Sequence, residues 1–180
     1  MKQKKLQIGI IGSAGPEEYP QKGKPDLQIF KIAYELGRLV AESSAILITG
    51  GKSGIMEFAS KGAKDAGGTT VGVVKGKERF TSNKYVDVEV VSGMEGCGEE
   101  TMLILMCDGL IGVGGGAGTL QELSIAYRNK KPTVLINSVP GLSKTLAGKY
   151  MDLRNTTKFV SAPNAQKAVK ILFRLLKKTI

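Results

Sequence analysis

The chain has 180 residues, 42% of them hydrophobic and 23% charged, a balance that suits one folded domain with a substantial core and excludes a disordered chain. It carries a formal charge of +10, two cysteines and no histidine, which excludes a histidine-based triad, a histidine proton shuttle and a disulfide framework. Glycine is abundant, 24 of 180, without the period of collagen; the glycines gather instead at the ends of apolar runs.

Taken in chain order, apolar runs alternate with helical patterns. LQIGIIG (6–12) is a short apolar run closed by glycine, which predicts a buried strand. The run is too short for a signal peptide, no run approaches a membrane span, and a cytoplasmic protein is expected. Residues 25–43 place Ile29, Ile32, Ala33, Leu36, Leu39 and Val40 at helical spacing, with Asp26 as the expected cap after Pro25. AILITGG (45–51) reads as a second strand, 54–68 as a second helix stopped by Gly67 and Gly68, and TTVGVVK (69–75) as a third strand. After the polar loop 76–85, VDVEVVS (86–92) alternates valine with Asp87 and Glu89, the pattern of a strand with one exposed face at a sheet edge. A helix over 99–107, a strand over 109–115, a helix over 119–130 and a strand over 132–138 follow. A last short strand (157–162) precedes a basic helix (164–178), whose cations Lys167, Lys170, Arg174, Lys177 and Lys178 read as a solvated face, without the aromatic platform of a nucleic-acid site.

Strands separated by helices imply right-handed crossovers and a parallel sheet covered on both faces: an α/β, Rossmann-like three-layer, doubly wound single domain over residues 1–180. Ligands of such sheets lie outside the carboxyl ends of the strands. Three glycine-rich connections fall there, GSAGP (12–16), TGGKSGIM (49–56) and GGGAGT (114–119). Glycine turns that open helices let backbone N–H groups approach an anion, so a phosphate-bearing small molecule is the expected ligand. TGGKSG is not a P-loop, because Ile46 stands where its first glycine belongs. Gly112, Gly114 and Ala117 satisfy G-x-G-x-x-A, yet no acid follows at the distance a dinucleotide ribose requires. Glu122 follows the third loop, and Thr119 three positions earlier completes T-x-x-E: either a capping box on the first helical turn or a carboxylate facing the crevice beside a phosphorylated sugar.

GGGAGTLQE resembles the PGGxGTxxE signature of the LOG ("lonely guy") family, long mislabelled as lysine decarboxylases, and TGGKSGIME resembles its GGxxGxM motif through Gly50, Gly51, Gly54 and Met56. The likeness runs from about Ile8 to Asn137 and is closest to a short branch with glycine, here Gly114, in place of proline, which includes molybdenum-cofactor-carrier-like proteins. The resemblance implies a nucleotide-binding homodimer without metal or organic cofactor. In active members it implies a phosphoribohydrolase that cleaves the N-glycosidic bond of AMP or a cytokinin riboside 5′-monophosphate. Gly12, Ser13, Gly50, Gly51, Gly54, Met56, Gly115, Gly116, Gly118 and Thr119 would then bind the phosphate or nucleotide, and Glu122 would be the catalytic carboxylate. One position departs: the family's arginine, sixteen residues before the glycine pair, falls on Glu99, followed by Glu100. Replacing a guanidinium by a carboxylate reverses the charge toward the sugar phosphate, which favours binding over turnover and leaves Lys52 and Arg79 as candidate replacement cations.

Overall fold

A computed structural model describes residues 4–15, 27–94 and 98–178; the expected cap Asp26 and Cys97 lie outside these residues. Seven strands form one sheet: β1 (Gln7–Gly12), β2 (Ile46–Thr49), β3 (Thr70–Val74), β4 (Val88–Val91), β5 (Gly109–Val113), β6 (Thr133–Ile136) and β7 (Val160–Ala162), in the order β4-β3-β2-β1-β5-β6-β7. Every pairing is parallel, and β1 sits at the centre, with Ile8 opposite Leu47 on one side and Gly109 on the other. Among the described residues there are six helices: α1 (Leu27–Glu42), α2 (Ile55–Asp65), α3 (Glu99–Met106), α4 (Ala117–Arg128), α5 (Leu142–Leu146) and α6 (Ala165–Leu176). The expected Rossmann-like α/β fold is present.

The pleat divides the core into two layers, because successive side chains of a strand point to opposite faces. Ile8, Ile10, Ile111 and Val113 point toward α1, α2 and α6, where they meet Ala33, Leu36, Ala59 and Leu172. Ile11, Ile48, Leu110 and Leu135 point the other way, onto Leu103 of α3 and Leu123, Ala126 and Tyr127 of α4. Much of the glycine serves this packing. A Cβ on Gly37 of α1 would lie 1.9 Å from the Ala59 carbonyl oxygen, and one on Gly62 of α2 would lie 2.0 Å from that of Tyr34. The two helices therefore cross at backbone contact.

Three boundaries differ from expectation. α4 starts at Ala117 rather than residue 119, because Gly116 supplies its cap position. α5, unmarked by any periodicity, is a five-residue turn whose Leu142 and Ser143 N–H groups donate to the Gly115 and Gly114 carbonyls. At the edge strand β4 it is Val88 that is half exposed, while the Glu89 carboxylate turns back to accept the N–H groups of Thr81 (2.8 Å) and Ser82 (2.6 Å) and so holds the β3–β4 loop. Among the described residues, no helix is long and apolar enough to cross a membrane.

Candidate functional site

Because all strands run the same way, the connections after β1, β2, β3, β5 and β6 emerge on one edge. The strand order reverses its direction of growth at β1, so the crevice lies between the β1 and β5 connections. Four loops are tied together there. Gly12, with φ 148°, packs so tightly on β5 that a Cβ would lie 1.9 Å from the Val113 oxygen. The next residue, Ser13, accepts the Gly115 N–H on its Oγ at 2.8 Å and offers its carbonyl to the Ile55 N–H at 3.1 Å. Gly54, with φ 69°, admits the 13–15 loop, since a Cβ there would meet the Gly15 nitrogen at 2.3 Å. Gly51 donates to Thr49 Oγ1, and its carbonyl accepts the Asn83 N–H at 2.7 Å. Gly50 lies against Met56, whose sulfur would be 2.8 Å from an added Cβ.

These contacts sort the expected binding residues. Gly12, Ser13, Gly50, Gly51, Gly54 and Met56 build the loops and pack them on one another. Gly116 and Gly118 are different: both are exposed, and a Cβ on either would meet nothing within 4 Å. They flank the start of α4, which has no side-chain cap. The N-termini of α2 and α3 on the same edge also lack one, whereas α6 is capped by Asn164, which accepts the Lys167 N–H at 2.9 Å. An uncapped helix start with space above its N–H groups is suited to an anion. Thr119 is buried beneath this start, against Gly115.

The T-x-x-E pattern does not form a capping box. Thr119 lies inside the first turn and Glu122 falls in the second, because the helix begins at Ala117. Glu122 is half-buried. Burial, with a smaller contribution from the charge of Glu100, pushes its carboxyl up to about 8. Glu100 is itself raised, by burial first and then by Glu99. The structure thus sets the charge of Glu100 on Glu122, and that of Glu99 on Glu100, next to the position where a cation was expected. One oxygen of Glu99 and one of Glu100 are buried without a hydrogen-bond partner.

Neither candidate replacement cation is directed at the acids. Lys52 donates to the Thr81 carbonyl at 3.0 Å, and the Arg79 guanidinium stacks 4.9 Å from the Phe80 ring centre. The cation whose charge does act on Glu100 is Lys75, at the end of β3. Its only sequence signal was its place after an apolar run. Among the described residues, no group of three acidic, cysteine or histidine side chains is placed to hold a metal ion.

Comparison with known proteins adds a family to this geometry. The model of the SLOG cluster4 family matches residues 5–169. An uncharacterised protein of Archaeoglobus fulgidus is 37% identical over 128 residues, 71% of this chain and 78% of that one. The solved molybdenum cofactor carrier protein of Chlamydomonas reinhardtii is 31% identical, with a TM-score of 0.80 over 97% of this chain and 99% of that one. A cytokinin riboside 5′-monophosphate phosphoribohydrolase of Rhodococcoides fascians is 31% identical over 120 residues, 59% of each chain.

Proposed function

Since the chain belongs to the SLOG cluster4 family, we propose that it is a cytoplasmic, homodimeric binding protein for a nucleotide or a nucleotide-like phosphate such as a phosphorylated pterin. The observation that carries this reading is the uncapped start of α4, opened by Gly116 and Gly118. The phosphate accepts N–H groups of this turn, while Glu99, Glu100 and Glu122 face the rest of the ligand and accept hydrogen bonds from its ring N–H groups. Such an arrangement favours retention over cleavage. No arginine stands at the family position to neutralise the sugar phosphate, and a protonated Glu122 cannot offer a negative charge to an oxocarbenium-like centre. The likeness to a molybdenum cofactor carrier supports cargo binding of this kind.

Isothermal titration with AMP, GMP and a pterin phosphate tests the reading. Saturable heat with at least one of them, weakened about tenfold or more in Gly118→Val, is expected. No heat with any of the three, and no small molecule released on denaturing the purified protein, would sink it.

One observation favours a second reading, a nucleoside 5′-monophosphate phosphoribohydrolase. A carboxyl held protonated near neutral pH is a competent general acid for a departing base, and Glu122 is such a group. Chromatography for free base after incubation with a panel of monophosphates decides it: release that disappears in Glu122→Ala establishes the enzyme, and its absence with every substrate removes it.

A further inference from the structure

The β3–β4 loop (75–87) emerges on the same edge as the crevice, two strands from β1, and it is fastened from several sides. Glu89 of β4 turns its carboxylate back to accept the N–H groups of Phe80, Thr81 and Ser82. Lys52, in the turn after β2, donates to the Thr81 carbonyl at 3.0 Å. Asn83 donates from Nδ2 to the Gly51 and Lys52 carbonyls at 3.0 and 2.8 Å. The loop is therefore braced against the second glycine turn.

This brace holds a bulky side chain in water. Phe80 is 85% exposed, and its backbone lies in the left-handed region at φ 60°, which an aromatic residue rarely adopts. Such a conformation persists only where surrounding bonds hold it, and here the Glu89 carboxylate supplies them. The Arg79 guanidinium lies over the ring, 4.9 Å from its centre. Hydrophobic burial alone would favour the opposite placement. In the sequence, Phe80 is marked only by its place in a polar loop.

Electrostatics link this loop to the start of α4. The charge of Lys75, its first residue, acts on Glu100, and that of Glu100 acts on Glu122 of α4. Three strand spacings separate the β5 and β3 connections, about 14 Å. A lone phosphate at the α4 start does not reach Phe80, whereas a phosphate that carries a flat ring system does.

We propose that Phe80, steadied by Arg79, is the platform on which the planar ring of the bound phosphate ligand stacks. The inference rests on the phosphate seat proposed above and assigns the ligand's other end to a nucleobase or a similar fused heteroaromatic ring. The ring's edge meets the acids and its face meets Phe80. Stacking tolerates many rings, because each presents a π face, so Phe80 contributes affinity and the acids contribute choice.

The chain has no tryptophan, so Phe80→Trp places a single fluorescent reporter at the platform. AMP, GMP or a pterin phosphate should quench its emission, and ribose 5-phosphate, which has no ring to stack, should not. Isothermal titration of Phe80→Asn completes the test, since asparagine accepts the left-handed backbone and removes only the ring. Affinity for the ring-bearing ligands should fall about tenfold or more, while that for ribose 5-phosphate stays as it was and Phe80→Tyr restores binding. Leu153→Asn is the control: it is 99% exposed, in the loop that Gly148 and Phe159 close at the start of β7 on the opposite edge, and should bind as the wild type does. Thermal melts check that each variant is folded. Wild-type affinity in Phe80→Asn, or an unquenched Phe80→Trp that binds ligand, overturns the platform and leaves the phosphate seat standing. Equal losses for ring-bearing and ringless ligands overturn it as well, since the residue then acts only by shaping the loop. A wild-type chain that binds none of these ligands removes the seat itself, and the platform with it.

Discussion

Folding opposes the ionisation of Glu122, because burial and Glu100 hold its carboxyl up to about 8. The native chain therefore binds a proton that the unfolded chain releases above the ordinary carboxylate range. The sign follows: this group's stabilisation is complete below about pH 4.5 and is lost as pH rises toward about 8. Relative to Glu122→Gln, the wild type should lose about 1.4 kcal/mol for each pH unit across that window. Denaturant melts of both proteins at acidic and mildly alkaline pH measure it, and equal slopes refute it. The presence of a carboxylate after the glycine loop was legible in the sequence. Its raised pKa was not, since that depends first on burial in the finished fold and then on Glu100 arriving from a different helix. Ser13 shows the same limit. Its place in a glycine turn suggested a ligand contact, but that its hydroxyl also joins two loops, by accepting the Gly115 N–H, was not legible.

Among the elements, the third glycine loop does two separable jobs. Gly114 and Gly115, with φ 64° and 90°, make the turn itself. Gly118 has open space around it and lies within α4, where glycine costs stability relative to alanine. Gly118→Ala should therefore raise stability by about 0.5–1 kcal/mol while weakening phosphate binding, because the added methyl stands over the helix start. A melt paired with a titration reads both; a variant that is more stable and binds as before argues against the proposed phosphate seat. Strands and long helices were legible as apolar runs and helical spacing. Two features were not. The start of α4 was set by Gly116 rather than by the T-x-x-E pattern, and α5 is held by backbone bonds to Gly114 and Gly115 that no side-chain pattern records.

For the molecule as a whole, the alternation of strands and helices was enough to give a parallel, doubly wound sheet, because crossovers have one hand. The unequal cover of its two faces was not legible, since it depends on which helices fall on each side. In the proposed homodimer folding is coupled to association, so the melting temperature should climb as protein concentration rises. Scans over a range of concentrations check this, and a wild-type midpoint independent of concentration counts against it. The position of β1 has a further consequence, in time rather than in space. β1 lies between β2 and β5, and its pairing with β5 joins Ile8 to Gly109. During synthesis, β2 reaches β1 early, but the other side of β1 stays open until β5 has left the ribosome. For most of the chain's growth, the centre of the finished sheet is an unpaired edge, the condition in which nascent chains aggregate or recruit chaperones.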